Sequence, residues 1–153
     1  MATPNTTFTS GQILTATQVN NLAWGSVGFV NRTAGDLTIA GAAQDLTGMS
    51  ITFTAVANRI YRASWLVNGN KAAVDRDGTF IQFTDSANTV IASVNMQTDA
   101  GAQGINFSSN YTFTTAAGSK TYKLRMGSFS GNLTVFANST NPISFLIEDI
   151  GSQ

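Results

Sequence analysis

Hydrophobic and polar residues alternate with a period of two over most of the chain after residue 25. In the segment SITFTAV, Ile51, Phe53 and Ala55 would face one side of a strand, while Thr52 and Thr54 face the other. This alternation is typical of antiparallel strands that bury one face and expose the other to water. Similar patterns predict strands at residues 26–32, 36–40, 50–56, 59–68, 79–85, 89–97, 104–115, 120–129, 132–137 and 143–149.

The segments between the predicted strands carry turn-forming residues. Dipeptides typical of hairpin turns occur at Asn68-Gly69, Asp77-Gly78, Ala117-Gly118 and Gly131-Asn132. Pro142 stands just before the last strand, where proline is tolerated. About ten short strands at this spacing predict an all-β fold, an antiparallel two-sheet β-sandwich of jelly-roll type. An open barrel is the structural alternative.

The first 24 residues have a different pattern, which predicts a short helix. Thr15 and Gln18 have the spacing of a capping box, and Leu14 could pack against Val19 as a hydrophobic staple. The predicted helix covers residues 16–23 and ends at Trp24-Gly25. We therefore expect two parts, an attachment segment with a short N-terminal α-helix at 1–25 and a β-sandwich domain at 26–153.

A helix of this length is only marginally stable alone in water, so it must pack on another surface. The apolar residues expected to make that contact are Phe8, Ile13, Leu14, Val19, Leu22 and Trp24. The docking surface would belong either to the sandwich or to another protein.

The composition excludes several classes of function. The chain has no cysteine and no histidine, which removes thiolate metal sites, thiol nucleophiles and the serine–histidine pair. Charged residues make up only 10% of the chain and balance to zero, so no nucleic-acid or membrane partner is expected. Polar residues without charge are abundant instead: Thr, Ser and Asn together make up about a third of the chain. A surface with so little charge favours a protein that is held against partners in an assembly.

Neither of two acidic motifs predicts a catalytic or metal site. Glu148 and Asp149 are adjacent, so on a strand they would point to opposite faces and could not share a substrate. Residues 75–78 read DRDG, a fragment of a calcium loop that lacks the downstream Glu; a hairpin turn is the preferred interpretation. We expect no cofactor, no metal and no enzymatic activity.

The aromatic and basic residues have structural interpretations as well. The aromatic residues are predicted to be mostly core, although a stacking platform for sugars is the alternative: Tyr61, Trp65, Phe80, Phe83, Phe107, Tyr111, Phe113 and Phe136. The basic cluster is predicted to be solvated or paired with scattered carboxylates: Arg59, Arg62, Lys120, Lys123 and Arg125.

The N-terminal segment resembles a family of small proteins. Residues 8–22 read FTSGQILTATQVNNL, which is similar to the F-x-x-G-x-x-L-T-A-x-x-[VM]-N opening of structural proteins of tailed bacteriophages. This likeness adds Gly11 to the expected attachment residues. Residues 59–65 and 143–151 also resemble such proteins. The Tyr-rich central strand and apolar last strand further resemble trimeric TNF/C1q-type sandwich heads.

The resemblance implies a non-enzymatic virion protein, made in the cytoplasm of the bacterial host. The N-terminal segment would attach to capsid, tail or a sister subunit, and the sandwich, a homotrimer, would decorate a capsid or form an appendage. The alternative is a tail-tip or tail-fibre module that binds a host surface polysaccharide through loops 69–78 and 98–104. Exposed aromatic residues on outer loops, away from the N-terminal segment, would favour the alternative. The sequence places few aromatics in those loops, which favours the structural role.

Overall fold

The computed structural model describes residues 25–71, 77–98 and 103–153, together with Ile13. These ranges contain ten strands and no α-helix. The strands are β1 (Gly25–Arg32), β2 (Leu37–Ala40), β3 (Gln44–Ala55), β4 (Arg59–Lys71), β5 (Asp77–Asp85), β6 (Val90–Thr98), β7 (Gln103–Thr114), β8 (Gly118–Ser128), β9 (Asn132–Val135) and β10 (Ile143–Ser152). Each of the ten predicted strands is confirmed, with ends that differ by a few residues.

The strands form two antiparallel sheets. Sheet A has the order β1-β10-β4-β7, and sheet B has the order β3-β8-β5-β6. The short strands β9 and β2 extend sheet A, because β4 is 13 residues long and pairs with β10 over 59–66 and with β9 over 69–71. The chain passes repeatedly from one antiparallel sheet to the other, and the two sheets face each other. This arrangement is a jelly-roll sandwich, as the sequence predicts.

The hairpin predictions, in contrast, are wrong. Asn68-Gly69 lies inside β4 and Asp77-Gly78 begins β5. Ala117-Gly118 and Gly131-Asn132 do lie in turns, but those turns connect strands of different sheets. Among the described strands, only β5 and β6 are both consecutive and paired. A jelly roll sends the chain from one sheet to the other, so turn-forming residues mark corners rather than hairpins.

The core lies between the inner faces of the two sheets and is rich in aromatic rings. Phe83 is fully buried at its centre, and its ring lies 5.2–6.1 Å from four others, those of Trp65, Phe113, Tyr122 and Phe145. The inward alternation predicted for β3 and β10 is confirmed by the burial of their apolar residues. Tyr111, which was predicted as core, is exposed because it lies on the edge strand β7.

The backbone of β1 at Gly28 packs closely against a side chain of β3. A Cβ added to Gly28 would overlap Cγ2 of Ile51, a buried residue of β3. We therefore expect Gly28→Ala to lower the free energy of unfolding by about 1–3 kcal/mol, through overpacking. Urea denaturation followed by circular dichroism measures this change.

Gly104→Ala is the matched control, because nothing lies within 4 Å of a Cβ at Gly104 and its φ is not in the left-handed region. It should change stability by less than about 0.5 kcal/mol. Equal effects of the two substitutions would contradict the packing assigned to Gly28.

Candidate interaction surfaces

The predicted attachment residues fall almost entirely outside the described residues. This applies to the helix at 16–23 and to Phe8, Gly11, Leu14, Val19, Leu22 and Trp24. Ile13 is described and is 89% exposed. The attachment role of this segment stays a prediction.

The two ends of the sandwich differ in what they carry. The first strand, β1, starts at Gly25, which pairs with Asp149, and Asp149 pairs in turn with Tyr61 near the start of β4. The backbone N–H of Gln153 donates to the carbonyl of Asn58 at the same end, 3.0 Å away. We call this the proximal end. The distal end is the opposite one, where β4 finishes and β5 begins.

A buried ion pair fixes the proximal end. Arg59 Nε and Nη2 donate to Asp149 Oδ2 and Oδ1 at 2.8 and 2.5 Å, and the two side chains are only 3% and 0% exposed. The N–H of Gly151 also donates to Asp149 Oδ1, 3.0 Å away. These contacts hold β10 at the point where its pairing with β4 shifts register. Arg59 is thus paired, as predicted for the basic cluster, but it is buried rather than solvated.

Glu148 points to the opposite side of the same strand, as the sequence predicts. Its Oε2 accepts from Arg62 Nη2 at 2.8 Å and from Nε at 3.1 Å, on the outer face of sheet A. The side chains of Arg62 and Glu148 are 45% and 25% exposed. The two adjacent carboxylates therefore occupy separate environments, each with its own arginine, and do not converge on one site.

The outer face of sheet A is mainly neutral and partly apolar. One cross-strand row runs Phe29, Leu146, Ser64 and Asn110, and the next runs Asn31, Ser144, Leu66 and Ser108. All of these residues except Asn31 line an open groove of about 360 Å³. Phe29 is 59% exposed at its edge. We call these eight residues the sheet A face.

A second groove lies along the edge of β7 that has no partner among the described strands. It measures about 480 Å³ and includes Ile60, Ile91 and Tyr111. The exposed Arg62–Glu148 ion pair lies between Ile60 and the sheet A face, so the two grooves are separate.

The outer face of sheet B is more polar. Asp45 accepts from Lys123 Nζ at 2.6 Å and from Arg125 Nε at 2.8 Å. The hydrogen bond from Lys123, together with Arg125, lowers the pKa of Asp45. Thr52 and Thr121 are hydrogen-bonded across β3 and β8 at 2.8 Å. This face has the mixture of hydroxyls and paired charges that is typical of a surface in contact with water.

Two aromatic side chains lie on the otherwise polar outer face of sheet B, at the distal end. The ring centroids of Phe80 and Phe129 are 5.1 Å apart, with planes inclined at 45°. Phe129 is 64% exposed, and Phe80 is half-buried. Each ring lies over a glycine of the neighbouring chain segment: a Cβ on Gly127 would overlap Phe80, and a Cβ on Gly78 would lie 2.8 Å from Phe129 Cδ2. We call Phe80 and Phe129 the distal pair.

Sequence reasoning missed the distal pair. The sequence pattern predicts Phe80 as core. Phe80 instead faces outward, because it alternates along β5 with Ile81 and Phe83, which are fully buried in the core. The available signal was the two glycines, Gly78 and Gly127, since glycine inside a strand often marks the close approach of another group.

Within the described residues, no group of three or more His, Cys, Asp or Glu side chains could hold a metal ion. No helix in the same ranges is long and apolar enough to cross a membrane.

Comparisons with known proteins return structures but no family. No protein-family model matches the sequence, and no curated protein matches it. Among solved structures, Eiger TNF from S. frugiperda is 6% identical, with a TM-score of 0.49, covering 82% of this chain and 93% of that one. VP2 of infectious bursal disease virus is 11% identical, with a TM-score of 0.42 over 84% of this chain and 37% of that one.

A carbohydrate-binding module of Cellvibrio mixtus lichenase 5A, solved with cellotriose, is 12% identical and has a TM-score of 0.37. The match covers 81% of this chain and 98% of that module. All three likenesses are too distant to carry an argument about function, which must come from the surfaces of this chain.

Proposed function

We propose that this chain is a non-enzymatic structural protein of a bacteriophage virion. It attaches through residues 1–25 to capsid or tail and displays the sandwich as a homotrimer that decorates the capsid or forms a surface appendage. The observation that carries the proposal is the contrast between the two outer faces. The outer face of sheet A has a groove lined by neutral side chains, beside the single ion pair of Arg62 with Glu148, which suits contact with a sister subunit. The outer face of sheet B, apart from the distal pair, carries hydroxyls and the ion pairs of Asp45 with Lys123 and Arg125, which suit contact with water.

Four of the described acidic groups have structural partners, which supports a role without catalysis. Asp149, Glu148 and Asp45 are each paired with arginine or lysine. Asp85 accepts from the backbone N–H groups of Ala87 and Thr89 and so closes the β5–β6 turn. Each of these carboxylates has a structural partner that accounts for it.

A charge placed on the sheet A face tests the oligomer. Leu146 lies in the middle of the Phe29 row, so Leu146→Arg would bury an unpaired charge in the proposed interface, at a cost of several kcal/mol. In sedimentation velocity, we expect the unchanged protein to behave as a trimer and Leu146→Arg as a monomer.

The matched control is Thr54→Arg, which adds the same charge to an exposed position on the outer face of sheet B. It should remain a trimer. A concentration-independent monomer for the unchanged protein, or a trimer that survives Leu146→Arg, would contradict the proposed interface.

The alternative function is a receptor- or carbohydrate-binding module at a tail tip or on a tail fibre. One observation favours it: the distal pair places two aromatic rings on the outer surface, at the end opposite Gly25. Exposed aromatics in that location are what a binding module requires. The two roles are compatible in one protein, because attachment and recognition would use opposite ends of the sandwich.

A further inference from the structure

We propose that the distal pair, together with the exposed side chains of Ser93, Asn95 and Gln97, is a binding site for a neutral saccharide. The inference extends the proposed function, in which the distal end is the displayed end. The three polar residues lie on β6, and Asn95 stands directly opposite Phe80 in the β5–β6 ladder. Gln97 stands opposite Gly78, over which the ring of Phe129 lies. The site is therefore formed by two aromatic rings inclined at 45° to each other, beside a row of neutral hydrogen-bonding groups.

The glycines hold this surface in place. Phe80 can lie against β8 only because Gly127 has no side chain, and Phe129 can lie against β5 only because Gly78 has none. Covering a glycine with a cross-strand ring stabilises a sheet, which is a structural reason for Phe80 to be there. It does not account for Phe129, whose ring remains 64% exposed. An aromatic ring held in place with most of its surface in water is available to a ligand.

The chemistry of the surroundings selects a neutral saccharide. The C–H face of a sugar ring is apolar and can stack on an aromatic ring, while its hydroxyl groups need donors and acceptors at the rim. The amides of Asn95 and Gln97 and the hydroxyl of Ser93 supply both. Among the described residues, the basic side chain beside this site is Arg125, which stands opposite Gln82 and is already engaged by Asp45 and by the carbonyl of Ala43, 2.6 Å from Nη2. Within that part of the chain, an anionic ligand would therefore find no unpaired positive charge at the site.

The size of the surface favours a sugar over a second protein. Two phenylalanine rings offer about 300–500 Å² even if both were fully covered. A stable protein–protein interface takes about 800 Å² from each partner. Two or three sugar units are of a size that the distal pair and its polar neighbours can cover.

The test uses the full chain and a panel of neutral oligosaccharides from glucans, mannans, galactans and N-acetylglucosamine polymers. Binding is followed by saturation-transfer NMR on the sugar protons and by titration. We expect at least one class to bind, with Phe129→Ala and Phe80→Ala each weakening the affinity about tenfold or more. Gly127→Ala should also weaken it, because the added Cβ displaces the Phe80 ring. Phe129→Tyr should keep it.

Val90→Ala is the control for loss of exposed apolar surface, because Val90 is 47% exposed on the same strand as Asn95 but lies at its proximal end, opposite Thr84. Failure of every glycan class to bind, unchanged binding by Phe129→Ala, or equal losses with Phe129→Ala and Val90→Ala would overturn the inference. Incorporation of Phe129→Ala into particles is measured separately. If the unchanged protein enters particles normally but binds no sugar, the saccharide site is overturned and the virion role is not.

Discussion

Replacement of Asp149 by alanine is expected to destabilise the sandwich by about 3–5 kcal/mol, because it leaves the Arg59 guanidinium buried without its carboxylate. Both side chains are almost inaccessible to water, so solvent cannot replace the lost partner. The same substitution removes the acceptor for the N–H of Gly151. A loss of this size is a large part of the 5–15 kcal/mol that holds a typical domain together. Chemical denaturation at pH 7 measures it directly.

Glu148→Ala provides the control on the same strand. Its partner Arg62 is exposed on the outer face of sheet A, so the expected loss is at most about 1 kcal/mol. A further variant, with Arg59→Met and Asp149→Leu together, should be more stable than Asp149→Ala alone, because it leaves no buried charge unpaired. Equal stabilities for Asp149→Ala and Glu148→Ala would show that the buried pair does not hold the proximal end.

Deletion of residues 1–24 is expected to abolish incorporation into particles while leaving a folded body. The reason is the change of pattern at Trp24-Gly25, after which the chain alternates with the period of strands. The described core also lies wholly within the remaining residues, and its residues pack with one another. Circular dichroism should show an intact β-type spectrum, and particles purified from an infection with the deletion should lack the protein.

A variant with Leu14, Leu22 and Trp24 replaced by alanine makes this test more specific. It keeps the length of the segment but removes part of its predicted apolar surface. It should also fail to enter particles. Normal incorporation of either variant would contradict the attachment role, whereas an unfolded deletion product would show that the segment belongs to the fold.

The strands could be read from the sequence because each depends on local alternation. Ile51, Phe53 and Ala55 are buried as predicted, and so are Ile143 and Phe145. β3 is longer at its start than the predicted 50–56, because its pairing with β8 shifts register between Asp45 and Ser50 and Gly48 adopts a φ of 82°. An irregularity of this kind breaks the period-two pattern without ending the strand.

Features that depend on contacts between distant segments could not be read in this way. The basic residue Arg59 and the carboxylate Asp149 were both visible, but only the pairing of β4 with β10 brings them together. Likewise, Phe80 and Phe129 form a pair only because β5 and β8 are neighbours in sheet B. Turn-forming dipeptides predict that the chain changes direction, but not whether the next strand joins the same sheet. The distal pair was missed because the sequence does not show that β5 and β8 are neighbours.

The central claim is that this chain is a displayed component of a virion, and imaging of labelled protein on intact particles tests it most directly. A tag at the C-terminus, with gold labelling followed by electron microscopy, reports both presence and position. We expect label at regular sites on the capsid surface or on the tail. Particles that carry no label, although the tagged protein is expressed and folded in the same cells, would contradict the claim.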